Sequence, residues 1–302
     1  MTRVTDDVGA ALEVIRDGGL VAIPTETVYG LAADASNDRA VRSIFAAKGR
    51  PVDHPLIVHI ASGVHLDHWA SDIPPSAALL ADACWPGPLT LIVPRAPQVL
   101  DVVTGGRSSV GVRVPAHPLT TELLTRFGGG LAAPSANRFG HVSPTTARHV
   151  VDDLGDAVDL ILDGGPCPIG VESTIVDCTV DPVQILRPGA ITAEQIQRLL
   201  GSSPADATGP SRAPGMLASH YAPRCEVILA DSVDEARVIA RARRFDIIGS
   251  VDPVDYAQHL YEWLRAADDR DAVGVVAVLP PATGLGHAVR DRLVKASGGR
   301  VG

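Results

Sequence analysis

Aromatic side chains are scarce in this chain: four Phe, four Tyr and three Trp make up 4% of its 302 residues. A surface that stacks on RNA needs interleaved aromatic and basic residues, and no stretch supplies them. The formal net charge of −9 also argues against a protein that grips nucleic-acid backbones across its whole surface, while leaving room for a local basic pocket. Lysine is rarer still. Lys48 and Lys295 are the only two, so arginine provides nearly every cation. No segment approaches the ~20 apolar residues of a membrane span, and the first residues carry acids and no apolar h-region, which reads as no secretory signal. Cys84, Cys167, Cys178 and Cys225 form no CxxC pair and no zinc-finger spacing, so free thiols in a reducing compartment, the cytoplasm, are expected. The familiar phosphate and nucleophile signatures are missing too: no GxxxxGK[ST], no GxGxxG after a strand, no GxSxG. A nucleotide handled here would need a pocket lined by scattered Arg, Lys, Ser and Thr.

What is present is a hydrophobic content of 46% with 20% charged residues, the balance of a soluble globular chain of one large domain or two. Its most informative stretch is LVAIPTETVYGLAADASNDRAVRSIFAAKGR, residues 20–50. Residues 20–23 form an apolar run that reads as a buried strand, ended by Pro24, which cannot donate to a sheet ladder. Thr25, Glu26, Thr27 and Tyr29 crowd polar groups into the turn that follows. A helical pattern then places Val41, Ile44 and Phe45 on one face, and Lys48-Gly49-Arg50-Pro51 stops it with two cations at its end. A strand, a polar turn and a helix that delivers positive charge suit an anionic small molecule.

Further strands are expected at 56–60, 89–93, 108–114, 158–162, 175–177 and 184–186. In the strand at 108–114, Arg113 projects from the face opposite Val110, Val112 and Val114, as a surface arginine or a ligand contact. Residues 131–137 read as a strand followed by a small-residue polar turn in which Ser135 and Asn137 offer hydrogen bonds. Thr5 is expected to cap a first helix, Ser143 to cap, or to form the turn before Pro144 of, a helix through about residue 153, and Thr192 to cap a helix through residue 200 with Gln195 completing a capping box. His54, His59, His65 and His68 lie close in sequence, yet solvated loop histidines account for them better than a metal cluster does. With no strict βαβ alternation, the first 200 residues read as an α/β domain with a mixed, twisted sheet. Residues 201–224, rich in Gly, Pro and Ser, read as a linker. Beyond them, alternating strands and helices in residues 225–302 read as a small parallel α/β domain.

PTETVYGL (24–31), KGRP (48–51), PLIVHI (55–60), PGPLT (86–90), VRVP (112–115), APSAN (133–137), ESTIVD (172–177), LRPG (186–189) and HYAP (220–223), in this order, closely resemble the YrdC-like threonylcarbamoyl-AMP synthases. The resemblance covers nearly the whole chain and points to the longer, two-domain branch with a small Rossmann-like C-terminal domain. It implies synthesis of threonylcarbamoyl-AMP from L-threonine, bicarbonate and ATP with release of pyrophosphate, the product passing to a tRNA threonylcarbamoyl transferase; tRNA itself is not needed for the adenylate. Carried over by motif, L-threonine would meet Thr27, His59, Arg113, Ala133 and Ser173. ATP would meet Arg50, His54, Ser109, Ser135, Ser143, Arg187 and Tyr221. Lys48 and Arg50 would act at the phosphates as the catalytic cations, with Mg²⁺ held by phosphate oxygens. The family commonly has Asn where His54 stands, and a basic residue where Leu217 stands. The linker, with Met216, His220 and Tyr221, would fold over the ATP site as a lid. Related carbamoyltransferase modules of hydrogenase maturation and antibiotic modification, and an RNA-binding module of the same fold, are the alternatives.

Overall fold

The computed structural model describes residues 3–208 and 221–298. Eleven strands form one mixed sheet: β1 (Arg3–Thr5), β2 (Val21–Ile23), β3 (Gly30–Asp34), β4 (Ile57–His59), β5 (Leu89–Pro94), β6 (Ser109–Arg113), β7 (Leu131–Ala132), β8 (Leu160–Leu162), β9 (Thr174–Asp177), β10 (Gln184–Arg187) and β11 (Ala205–Asp206), in the order β1-β8-β2-β3-β7-β4-β6-β5-β9-β10-β11. Parallel and antiparallel pairs alternate without a βαβ rule: β4 runs parallel to β6, whereas β3, β7 and β4 are antiparallel neighbours. The mixed sheet agrees with the sequence. Both faces are covered, which is why β2, β4 and β9 are buried at every residue and read as apolar runs rather than alternations.

The helix Asp38–Lys48 shows the local logic. Asn37 caps it, its side chain accepting from the Ala40 N–H at 3.2 Å. Gly49 ends it at φ 64°, a left-handed conformation that costs glycine little. Val41, Ile44 and Phe45 face the core, and so does Lys48. Elsewhere the caps moved. Asp7, not Thr5, caps the first helix, accepting from the Gly9 N–H at 2.8 Å, because Thr5 is already the last residue of β1. Thr146, not Ser143, caps the helix Ala147–Leu154. The stretch read as linker is still part of the large sheet at its start: Ala205–Asp206 pairs parallel with β10, a strand too short to leave a pattern in a Gly- and Ser-rich segment. Met216, Leu217 and His220 lie outside the described residues.

The second unit holds three parallel strands, β12 (Glu226–Ala230), β13 (Asp246–Ile248) and β14 (Gly274–Val278), in the order β12-β14-β13 with helices Val233–Arg243, Pro253–Asp269 and Gly286–Ala296 between and after them. It packs against the first unit through one apolar cluster that joins Val28, Val142 and Val171 to Tyr256, Leu260, Tyr261 and Leu293. Gly170 marks how close the approach is. A Cβ there would lie 2.4 Å from the Ala257 carbonyl oxygen of the long helix, and its φ of +82° already favours glycine. Arg265 adds a polar clasp, its guanidinium on both Asp153 oxygens at 3.2 and 2.9 Å. Among the described residues no helix is long and apolar enough to cross a membrane.

Candidate functional site

The sheet brings separate motifs to one place by register. Parallel pairing of β4 with β6 sets His59 beside Arg113 at the ends of adjacent strands. Gly30, which opens β3, bridges to Ser135. Ser173 stands just before β9, two residues from Ile175, which is the cross-strand partner of Arg187 at the end of β10. A pocket forms where these ends meet, lined by Thr25, Thr27, Val28, Gly30, Arg50, Ile57, His59, Arg113, Ala133, Pro134, Ser135, Glu172, Ser173, Arg187 and Tyr221. All five residues expected to contact L-threonine are among them, together with Arg50, Ser135, Arg187 and Tyr221 from the nucleotide set.

Arg113 is buried, 4% exposed, so the surface-arginine reading is excluded. Its Nη2 donates to Glu26 Oε1 at 2.6 Å and its Nε to the Gly87 carbonyl at 3.3 Å, while Nη1 has no partner among the described residues. Burial opposes charge on Glu26, but the Arg113 charge and hydrogen bond and the Ala116 N–H outweigh it and hold the carboxyl below its ordinary range. Glu26 thus holds one edge of the guanidinium and leaves the other to the pocket. Thr27 is set in a similar way. Thr25 Oγ1 donates to the Val28 carbonyl at 2.6 Å, so the proton in its 2.8 Å contact with Thr27 comes from Thr27. The lone pairs of Thr27 are left to accept from a ligand N–H or O–H.

His59 is buried with Nδ1 unpartnered among the described residues. Burial, and then the charge of Arg113, press its pKa to about 3, so the ring is neutral at pH 7. The consequence is testable. Below pH 6.5 the unfolded chain takes up a proton that the folded chain refuses until about pH 3, so this contribution to stability is complete above 6.5 and is lost as pH falls. His149, held at about 4 first by burial and then by Arg265, acts in the same direction. Thermal unfolding between about pH 7 and about pH 5 should show His59→Asn losing about 2 kcal/mol less stability than the parent chain. Parallel curves for the two proteins would mean that His59 takes up its proton as readily in the folded chain as in the unfolded one.

On the other side of the pocket, Arg187 donates through Nε to the Ser173 carbonyl and through Nη2 to Ser173 Oγ, both at 3.0 Å. Arg50 donates to the Pro55 carbonyl at 2.9 Å, and its guanidinium lies 5.6 Å from the centre of the Phe139 ring, which His54 meets edge-on at 5.3 Å. Burial, and to a lesser degree the charge of Arg187, lowers the Arg50 pKa to about 10. Two buried guanidiniums facing one cavity make an anion site. Gly189 lets the two turns meet, since a Cβ there would fall 2.4 Å from the Thr174 nitrogen and 2.7 Å from the Ser173 carbonyl carbon. Backbone cannot yield as a side-chain tip does, so Gly189→Ala should cost about 1–3 kcal/mol of stability. It should also weaken nucleotide binding by shifting Ser173 and Arg187 together. Urea unfolding and calorimetric ATP titration would check both, and an unperturbed variant would show that the turns are not in tight contact.

Four expected residues do not line the pocket. Lys48 is buried with its ammonium donating to the carbonyls of Ser135 and Asn137; burial, then Arg50, drives its pKa well down. It fixes the backbone of the Ser135 turn and is not turned toward the cavity, because the helix that carries it buries that face. Ser143 is also buried, and its hydroxyl donates to Glu172 Oε1 at 2.5 Å. His54 is half-buried at the Phe139 rim. Ser109 begins β6, paired with Pro94, about 13 Å along the strand from Arg113. Tyr221, expected to cover a nucleotide as part of a lid, does line the pocket, where it is 1% exposed and packed, with its ring 5.2 Å from the Arg292 guanidinium and 6.0 Å from the Tyr261 ring. Glu26 and Glu172 were missed as functional residues, although the motifs PTETVYGL and ESTIVD contain them.

Comparison with known proteins concerns the chain as a whole. A family model for Sua5, YciO and YrdC proteins, described as telomere recombination, matches residues 13–189, and one described as the threonylcarbamoyl-AMP synthase C-terminal domain matches residues 191–298. A threonylcarbamoyl-AMP synthase of Pyrococcus abyssi is 42% identical over 95% of this chain and 93% of its own length. One of Bacillus subtilis is 40% identical over 97% and 94%. The crystal structure of P. abyssi Sua5 complexed with L-threonine superposes with a TM-score of 0.93, covering 99% of this chain and 98% of that one at 40% identity. Matched along nearly its whole length in sequence and in fold, the chain belongs to the Sua5/YrdC family.

Proposed function

We propose that this protein is an L-threonylcarbamoyladenylate synthase, a nucleotidyltransferase that makes threonylcarbamoyl-AMP for the threonylcarbamoylation of tRNA. The observation that carries the reading is one pocket in which an arginine fork, a neutral histidine and an accepting hydroxyl stand opposite two buried arginines. The first set suits the carboxylate, amine and hydroxyl of threonine, and the second suits nucleotide phosphates.

The reaction asks for no side-chain nucleophile. The threonine amine and bicarbonate form a carbamate with loss of water; a carbamate oxygen attacks the α-phosphorus of ATP, and pyrophosphate leaves. Arg113 orients the amino acid by its carboxylate, the neutral His59 offers a hydrogen bond without adding charge, and Arg50 and Arg187 offset charge on the phosphates. Positioning and electrostatics therefore carry the rate. Lys48 contributes through the Ser135 turn that it holds. The one carboxylate among the pocket-lining residues, Glu172, is committed to Arg292, Tyr261 and Ser143, and no described residues group as a metal cage. Mg²⁺ would enter on the phosphates and neutralise them there. Bicarbonate as the carbon source, hand-over of the adenylate to a tRNA threonylcarbamoyl transferase and a cytoplasmic setting, where ATP, threonine and tRNA meet, complete the proposal. The net charge of −9 and sparse aromatics favour this enzyme over an RNA-binding module.

Mass spectrometry of a mixture of protein, ATP, Mg²⁺, L-threonine and labelled bicarbonate tests it. The label should appear in a threonylcarbamoyl adenylate; its appearance only when carbamoyl phosphate is supplied would point to the carbamoyltransferase relatives instead.

A further inference from the structure

The chain leaves the sheet after the last pair of β2 and β3, Ile23 with Gly30, and residues 24–29 form a turn whose shape depends on contacts from the side. Thr25 closes it from within, its hydroxyl accepting from the Thr27 and Val28 N–H groups at 3.1 and 3.2 Å. From outside, the Ile169 N–H reaches the Glu26 carbonyl at 2.9 Å, the Ala116 N–H reaches Glu26 Oε2 at 3.0 Å, and the Tyr29 N–H donates to the Pro144 carbonyl at 2.9 Å. The entry to the turn is harder to hold, because Pro24 has no N–H to give. There the Thr120 hydroxyl donates to the Pro24 carbonyl. Thr120 is 0% exposed and lies in the first turn of the helix Pro118–Phe127. Two other threonines of this helix bond close by in sequence: Thr121 donates to the Pro115 carbonyl at 3.4 Å and Thr125 to the Thr121 carbonyl at 2.7 Å. Thr120 instead spends its hydroxyl on a residue 96 positions away. The helix is a firm post for it, since Leu123 and Leu124 are fully buried in one cluster with Ile23, Leu131 and Ala133. The proline itself is closely packed. A Cβ on Gly164 would fall 2.4 Å from His117 Cε1 and 2.7 Å from Pro24 Cγ.

We propose that Thr120 is a positioning residue for the amino-acid half of the pocket: by holding the Pro24 carbonyl it fixes the entry to the turn, and so sets both Thr27 and the Glu26 carboxylate that orients Arg113. Thr120 is not among the pocket-lining residues; it acts through the turn. The bracket is closed on itself. The segment that leaves the Arg113 strand comes back, through the Ala116 N–H and the Thr120 hydroxyl, to hold the carboxylate and the turn that hold Arg113. Without the hydroxyl, the buried Pro24 carbonyl is left with no donor and the turn shifts to find one. A shift of about 1 Å in groups that position a substrate can cost on the order of a hundredfold in rate. The nucleotide half stands on other elements, with Arg187 on Ser173 and Arg50 on the Pro55 carbonyl, so the effect falls on threonine.

This inference rests on the synthase reading, and the experiment separates the two. Full-length Thr120→Val keeps the shape and loses the hydroxyl, whereas Thr120→Ser keeps the hydroxyl and loses a methyl group. Both would be compared with the parent chain in steady-state kinetics, calorimetric titration with threonine and with ATP, and thermal unfolding. Thr120→Val should raise KM and Kd for threonine about tenfold or more while changing Kd for ATP less than about threefold. Thr120→Ser should bind threonine within about threefold of the parent even though its lost methyl lowers the unfolding temperature, a split that a merely structural role would not give. A folded Thr120→Val with parental threonine affinity overturns the proposal, as does a Thr120→Ser that binds threonine as weakly as the valine variant, or an equal loss toward both ligands. If Thr120→Val does not fold, Thr120→Ala takes its place: threonine binding about tenfold weaker than that of Thr120→Ser supports the proposal, and equal affinity contradicts it. Nitrogen-15 NMR of the arginine side chains gives a readout without substrate. The Nε–H of Arg113, which donates to the Gly87 carbonyl and is identified by its loss in Arg113→Lys, should shift or broaden in Thr120→Val and stay in place in Thr120→Ser; an unchanged signal in the valine variant contradicts the proposal. A parent chain that makes no adenylate refutes the synthase reading alone, and the Arg113 signal still judges the role of Thr120.

Discussion

Arg113→Ala is expected to cut kcat/KM for L-threonine by about a thousandfold while changing ATP affinity by no more than about threefold. The size follows from what the side chain does. Its guanidinium is held by Glu26 at 2.6 Å and by the Gly87 carbonyl, so its remaining edge meets the ligand already oriented. Removing it loses the only charge assigned to the amino-acid carboxylate and leaves Glu26 buried and unpaired against an incoming anion, and breaking a buried pair costs about 3–5 kcal/mol. Arg113→Lys should fall between the two. An ammonium keeps the charge but cannot hold Glu26 and a carboxylate in one planar fork. Calorimetric titration of each variant with threonine and with ATP separates the effects. Equal losses for both ligands would show that the pocket is not divided as described.

Arg187→Ala should do the reverse, weakening ATP binding about a hundredfold and exceeding its effect on threonine at least tenfold in rough terms. Arg187 is anchored to the carbonyl and hydroxyl of Ser173, so some loss toward threonine is expected, because Ser173 then loses that donor and is held by its 2.8 Å contact with Thr90. Arg50→Ala should lower ATP affinity in the same direction. ATP titration alone decides the main point: a variant that binds ATP normally but threonine weakly would assign Arg187 to the wrong ligand.

The pocket was legible where chemistry and local pattern coincide. Strand alternation set Arg113 apart from the valines that flank it, and register with β4 then put His59 at its side. KGRP announced a helix end carrying cations, and Gly49 at φ 64° is that end. What the sequence did not disclose depends on distance along the chain. Glu172 and Arg292 are separated by 120 positions, and Glu26 and Arg113 by 87. Nothing local distinguishes a carboxylate that will hold an arginine from one that will face water. Lys48 misled for a related reason. A cation at a helix end reads as available, but the face bearing it is the buried one, and its charge is spent on two backbone carbonyls. The strands Gly30–Asp34 and Ala205–Asp206 escaped because glycine, alanine and aspartate carry little strand signal, and sheet pairing overrode that weakness.

The most direct measurement is pyrophosphate release by the purified full-length protein from ATP and Mg²⁺, with L-threonine and bicarbonate each added or withheld. Release that requires both, in step with formation of one adenylate per pyrophosphate, is what the pocket predicts. Release indifferent to threonine, or supported by carbamoyl phosphate in place of bicarbonate, would contradict it.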